Sequence, residues 1–341
     1  MKMTGISRFA AVLGLLALVA VSCAKTEKTS TYDSAKRFVE AWMNVNHPGV
    51  LPTEDGIYVL EEVEGDGVLA DTLSYLYVNY TVRSIKGVYD KTNSVDIAKQ
   101  LGSYDKTAFY GPHIWRFDIG SQYAGVIDMV KGMKVGGKRT ALIPRWLISL
   151  QDFDTEEEYL SSSKGGTEDF IYYIEIVDGT DDVLEWQEDS IDRFVERNFG
   201  KDKLGVDTVG FRYICLKEPK DSVSFPVDTT VYINYTGRLL NGQIFDTNVE
   251  KTAKDAGIYN ASRSYGALPV SWGETYSDLT LDGSSVVSGF SRTLWEMGKY
   301  EKGIGIFYSE FGYSASGSGS TIPEYSPLMF EIEIVDKPED D

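Results

Sequence analysis

Apolar residues change their rhythm along the chain, and the rhythm marks its elements. An uninterrupted apolar run from Phe9 to Val21 comes first. Apolar side chains then recur at helical spacing at Phe38, Val39 and Trp42, and again at Ile191, Phe194 and Val195. The second of these predicted helices runs from about Asp182 to Asn198, is acidic, and stops at Gly200. Elsewhere the period shortens to that of strands, as in Gly56-Ile57-Tyr58-Val59-Leu60 and Phe211-Arg212-Tyr213-Ile214-Cys215-Leu216. The run VYINYTGRLLNGQIFDTN at 231–248 is a strand, an Asn-Gly turn and a second short strand ending in an aromatic beside an acid, Phe245-Asp246. Many strands with one main helix per segment predict an α+β fold, an antiparallel sheet wrapped on that helix.

The pattern occurs twice. Lys36-Arg37-Phe38-Val39-Glu40 returns as Asp192-Arg193-Phe194-Val195-Glu196, and Val78-Asn79-Tyr80-Thr81 as Ile233-Asn234-Tyr235-Thr236. Tyr89-Asp90 reads as the echo of Phe245-Asp246, and Ile174-Glu175-Ile176-Val177-Asp178 as that of Ile332-Glu333-Ile334-Val335-Asp336. The separation is the size of a whole domain, which indicates tandem duplication rather than a solenoid. The expected organisation is a leader over 1–22, a polar tether over 23–35, a first domain with its leading helix over 36–180, a connecting helix over 181–200 and a second domain over 201–341.

The Tyr235-Thr236-Gly237 strand, Phe245-Asp246, Val286-Val287-Ser288-Gly289-Phe290, Phe311-Gly312-Tyr313 and Ile322-Pro323 follow one another in an order that resembles the FKBP family of peptidyl-prolyl isomerases. The resemblance implies two domains of that fold and proline-containing polypeptides as clients. It places Phe290 as the floor under a proline ring, where the family usually has tryptophan. Tyr235, Phe245, Val286, Val287 and Phe330 would be walls, and Ile322 a cap. Tyr313 would donate its hydroxyl to the substrate carbonyl, and Asp246 would orient Tyr235 and polarise the site. Such a site calls for no cofactor and no metal. The amide barrier of about 18–20 kcal/mol comes from resonance, so a dry, oriented cleft with a few donors suffices. The resemblance departs at Phe290 and at Ser314, where a glycine is usual. Taken singly, Phe290 and Phe330 read as core residues and Asp246 as a turn residue.

The first repeat keeps the scaffold and changes the lining. Counting from Met133 as from Met297 puts Ser149 where Tyr313 stands and Val126 at the floor. Its late loop, LQDFDTEEEYLSSSKGGTEDF, has five acids before Ser161 and no Ile-Pro pair. Binding, spacing or dimerisation are the roles expected of it.

The rest of the sequence narrows the setting. Lys2 and Arg8 ahead of a short apolar run ending in Ala20-Val21-Ser22-Cys23 predict a signal peptide. The segment resembles a bacterial lipobox, which makes Cys23 the expected lipidation site and the cell envelope the expected location, outer membrane or periplasm-facing. An ordinary secretory signal or an uncleaved anchor are the other readings. The formal charge of −19 falls by two, to −21, when Lys2 and Arg8 leave with the leader, and excludes nucleic acid as a partner. With Cys23 lipidated only Cys215 remains, so no disulfide is expected. His47 and His113 are the two histidines, and they form no metal or hydrolase motif. Gly132-Met133-Lys134-Val135-Gly136-Gly137-Lys138-Arg139-Thr140 nearly spells a phosphate-binding loop, but Arg139 stands at the magnesium position and the segment follows a helix. The leading expectation is therefore an envelope isomerase assisting folding of exported proteins. The alternatives are a non-catalytic chaperone or peptide-binding lipoprotein, and a surface protein that uses its many tyrosines to bind glycan or protein. Oligomeric state, client and the inserts 91–112 and 249–276 are left open.

Overall fold

The computed structural model describes residues 31–117, 121–149, 167–203, 209–220 and 224–339. The leader, Cys23 and residues 150–166 of the first repeat's late loop lie outside these. Two bodies are present. Helix α1 (Thr31–Asn46) belongs to the first, and both sheets belong to the second, residues 51–152 with 166–341.

Helix α1 begins at Thr31, so the last five residues expected to be tether are helical. Its buried stripe is Ala35, Val39 and Met43, while Phe38, expected on that face, is 47% exposed. Residues four apart share a helix face, and Phe38 lies one position off that row.

In the first repeat, β1 (Tyr58–Val63), β2 (Tyr75–Ser84), β3 (Tyr89–Thr92), a short helix α2 (Val95–Leu101), β4 (His113–Arg116), α3 (Ala124–Val130), β5 (Lys138–Ile143) and β6 (Phe170–Thr180) follow in order. Their antiparallel sheet has the order β1-β5-β6-β2-β3, with β4 also on β2. The phosphate-loop lookalike is the turn from α3 into β5, where Lys138 pairs with Glu175 and Arg139 donates to Glu62 and to the carbonyls of Met129 and Lys131.

The second repeat runs through β7 (Phe211–Lys217), β8 (Thr230–Leu239), β9 (Ile244–Thr247), α5 (Glu250–Ala256), β10 (Leu268–Ser271), β11 (Thr280–Leu281), β12 (Ser284–Ser285), α6 (Ser288–Trp295), β13 (Lys302–Phe307) and β14 (Leu328–Val335). Its sheet order is β12-β11-β10-β8-β14-β13-β7, with β9 on β8. The two sheets are therefore the same design, with β1, β5, β6, β2, β3 and β4 matching β7, β13, β14, β8, β9 and β10. Helix α6 lies close on β13 because Gly289 has no Cβ, which would come within 2.4 Å of the Phe307 ring. Between the repeats, α4 (Val183–Phe199) starts at Asp182, whose carboxylate caps Leu184 and Glu185 at 3.0 and 3.1 Å. Its buried Ile191 and Val195 pack on Ile214, Ile304, Ile306 and Met329, covering one face of the second sheet, while Phe290 and Leu294 of α6 belong to the core on the other.

Candidate active site

The site is assembled around Asn248, which is fully buried at the end of β9. Its side chain accepts from Tyr235 N at 2.7 Å and donates to the carbonyls of Ile233 at 2.8 Å and Gly266 at 2.9 Å. These bonds fix β9 against β8 and pin the far end of the insert that leaves α5. Asp246 thereby sits opposite Gly237, and the Tyr235 hydroxyl donates to Asp246 Oδ2 at 2.6 Å.

The insert then supplies a residue that sequence reading missed. Arg263 donates from Nη1 to Asp246 Oδ1, and from Nη2 to the Tyr235 hydroxyl at 2.9 Å. An Asx turn at Asn260 and the stacked Tyr259–Tyr265 pair, with centroids 5.3 Å apart, hold its loop. Lys254 caps the stack at 4.8 Å from the Tyr259 ring.

Below this cluster lies a box of aromatic rings. Phe290, 2% exposed on α6, meets Tyr235 edge-on at 5.5 Å and Phe330 at 5.0 Å. Phe245 meets Phe330 edge-on at 5.5 Å, and Phe307 stacks on Phe330 at 5.9 Å. Edge-to-face packing adds to the burial of each ring. The box depends on Gly237, since a Cβ there would stand 2.6 to 2.8 Å from the Phe245 and Phe330 rings. Ile322 is buried in the same cluster, and Val286 and Val287 are partly buried against it.

Tyr313, 37% exposed, stands near enough to Asp246 for that carboxylate, after burial, to push its phenol upward. Burial, then Asp246, also raises the Tyr235 phenol far above its ordinary value, although Arg263 opposes this. Both phenols keep their protons and can donate. Ser314 adopts φ +50°, the left-handed region in which glycine is easier, and its hydroxyl donates to Glu310 at 2.7 Å. The structure thus brings the nine residues expected from sequence together, seven of them in one apolar cluster with Asp246 bonded to Tyr235 and Tyr313 beside Asp246, and Arg263 joins them. Hydrogen-bond donors and a carboxylate meet over a cluster of aromatic rings.

The first repeat corrects one expected correspondence. Asn93 makes the same bonds as Asn248, accepting from Tyr80 N at 2.7 Å and donating to Val78 O at 3.0 Å and to Gly111 O. With that register Lys91, not Asp90, stands opposite Val82, as Asp246 stands opposite Gly237. Tyr89-Asp90 is one residue out of step with Phe245-Asp246, because both hairpins carry a bulge at the same place and the buried Asn sets the count. The position of Phe245 is therefore taken by Asp90, and Val82 fills the space that Gly237 leaves for rings. Its insert is also a copy: Tyr104 stacks on Tyr110 at 5.3 Å, and Asp105 makes the Asx turn. Counting on from it, Ala108 stands where Arg263 does. Ser149 is buried, and Val126 lies in the core at the floor position. Residues 150–166, with the acids of the late loop that precede Ser161, lie outside the described residues.

Comparison with known proteins gives a family-model match over residues 267–335, described as FKBP-type peptidyl-prolyl cis-trans isomerase. The chain is 31% identical over 107 residues to a "Probable FKBP-type peptidyl-prolyl cis-trans isomerase" of Haemophilus influenzae, covering 31% of this chain and 34% of that one. It is likewise 31% identical over 122 residues to "FK506-binding protein 2" of Kluyveromyces lactis, covering 35% of this chain and 71% of that one. It thus spans about a third of the length of the Haemophilus protein. Among solved structures, that of FkpA from Escherichia coli matches at a TM-score of 0.31 and 20% identity, over 53% of this chain and 76% of that one.

Proposed function

The chain belongs to the FKBP-type peptidyl-prolyl cis–trans isomerases, and from that premise we propose that its second repeat turns X-Pro bonds in exported polypeptides at the bacterial envelope, held there by a lipid on Cys23. The observation that carries this reading is the convergence of Tyr235, Asp246, Arg263 and Tyr313 over the ring box of Phe245, Phe290 and Phe330.

A proline ring seated on Phe290 leaves water, and the amide loses the solvent hydrogen bonds that favour its planar, charge-separated resonance form. Val286, Val287 and Ile322 hold the ring while the preceding carbonyl swings out of plane. Tyr313, protonated and partly exposed, donates to that carbonyl in its rotated position. This stabilises the twisted state more than the planar one, which is what acceleration requires. Asp246 accepts hydrogen bonds from the Tyr235 hydroxyl and the Arg263 guanidinium, so both walls stay fixed while the substrate rotates. No bond is made or broken, and the chain's own residues supply every part.

The first repeat, with Lys91, Ala108, Val126 and Ser149 in the matching places, is proposed to bind or space rather than catalyse. The test is a protease-coupled assay of a blocked proline tetrapeptide with the full chain. A rate above the uncatalysed one, proportional to protein concentration, is expected. An unchanged rate at every concentration rejects the isomerase reading.

A further inference from the structure

The insert of the first repeat does something its copy does not. Where residues 258–266 bring Arg263 onto Asp246, residues 103–111 reach across to the second repeat. Phe109 N donates to Ser320 O at 2.7 Å. Gln243 Nε2 donates to the carbonyls of Thr107 and Ala108 at 3.1 and 3.3 Å. The Phe109 ring packs against the core cluster that contains Phe290, Ile322 and Phe330. The first repeat thus touches the late loop beside the prolyl cleft.

The same loop also lines a cavity of about 300 Å³, with Phe109, Tyr77, Trp186, Leu240, Pro323 and Tyr325 among its walls. Tyr77 stacks on Trp186 at 4.1 Å, and Trp186 donates to Asp178 at 2.9 Å. The Tyr77 hydroxyl is buried and has no hydrogen-bond partner among the described residues. Burial, and then Asp178, hold that phenol well above its ordinary value, so it keeps its proton. A buried donor without an acceptor is destabilising, and a bound carbonyl would relieve it.

We propose that this cavity is a second subsite for the client polypeptide. It takes an apolar side chain a few residues from the proline while Tyr77 donates to a client backbone carbonyl. The inference rests on the isomerase reading of the neighbouring cleft. A polypeptide is the occupant because the two sites share a loop. Ile322 caps the prolyl cleft and Pro323, next in the chain, lines the cavity. Consecutive Cα atoms are about 3.8 Å apart and an extended chain advances about 3.3 Å per residue, so a client crossing the late loop arrives within about two or three residues. Mainly apolar walls with the Tyr77 hydroxyl among them match the side chain and carbonyl of such a segment. The first repeat, stripped of the cleft's lining, would then choose clients for the second.

The test uses the full chain and two pairs of fluorescent octapeptides, the members of a pair differing only in Leu or Ser three residues from the proline, with the substituted position before the proline in one pair and after it in the other. Wild type is expected to bind one Leu peptide about tenfold more tightly than its Ser partner. Val177 also lines the cavity and is 43% exposed, so Val177→Trp fills the space from outside the core. It should abolish the preference while leaving tetrapeptide turnover unchanged. Tyr77→Phe should weaken the Leu peptide about fivefold yet hold or raise Tm, because it removes an unsatisfied buried hydroxyl; a purely structural tyrosine would show no binding loss. Equal affinity of wild type for the Leu and Ser peptides on both sides, or a preference that survives both substitutions, overturns the subsite. Failure of the isomerase reading appears separately, as no acceleration of the tetrapeptide by wild type.

Discussion

Arg263 donates to the Tyr235 hydroxyl at 2.9 Å while its other nitrogen bonds Asp246, so one guanidinium from an insert ties together two residues of adjacent strands. The cluster is about a third exposed at Arg263 and Asp246, and its value lies in orientation rather than in ion-pair stability.

Arg263→Ala should therefore leave Tm nearly unchanged and lower kcat/KM about tenfold, equivalent to about 1.4 kcal/mol. Arg263→Lys should recover only part of this, since an ammonium cannot span both partners in one plane. A full recovery with Lys in the tetrapeptide assay would show that charge alone matters.

Gly237→Val copies the first repeat at Val82 and places a side chain where the Phe245 and Phe330 rings now lie. The expected cost is about 1–3 kcal/mol from overpacking, with loss of most turnover. Denaturant titration and the same assay check it. Unchanged turnover would mean that the ring box is not the prolyl pocket.

How far the sequence carried this site follows from where each residue sits. Tyr235, Phe245, Asp246 and Phe290 were legible because the motifs that carry them, an Asn-Gly hairpin and the Val286–Phe290 run, resemble those of the family in order and spacing. Arg263 was not legible, because its approach to Asp246 depends on a loop folded by an Asx turn and a tyrosine stack, neither of which has a period. Its signal was a contrast: within two inserts that echo each other at Tyr104 and Tyr259 and at Tyr110 and Tyr265, Arg263 stands against Ala108. The slip at Tyr89-Asp90 came from matching aromatic-acid pairs by chemistry, when the register is set by the buried Asn93 and Asn248. Phe38 was placed inward because apolar character was read without the neighbouring Ala35 and Met43 that define the face.

The pH profile should be flat. Burial and Asp246 raise the Tyr313 and Tyr235 phenols, so the donor form persists through neutral pH, and kcat/KM should be constant between about pH 6 and pH 9. The sign for stability follows. The contribution of neutral Tyr235 is fully present below the ordinary phenol value of about 10 and is lost as pH rises beyond it. A step in turnover near pH 6.5 would instead indicate a histidine in the mechanism.

The proposed lipid on Cys23 would hold the chain only through the tether, so Cys23→Ser should release the protein from membranes without changing its Tm. Fractionation with cleavage of the leader confirmed by mass spectrometry checks this. Retention of the cleaved variant in the membrane fraction would contradict the anchor.

The central claim is that the second repeat lowers the rotation barrier through Tyr313 above Phe290, and it is tested most directly by comparing Tyr313→Phe with Tyr80→Phe in the full chain. The protease-coupled rate and the peptide Kd are measured together. Tyr313→Phe keeps the ring and removes one hydroxyl, so kcat/KM should fall about tenfold with Kd nearly unchanged, a loss confined to the transition state. Tyr80→Phe, in the first repeat, should leave both at wild-type values. Equal rates for wild type and Tyr313→Phe, or a loss with Tyr80→Phe in its place, would contradict the account.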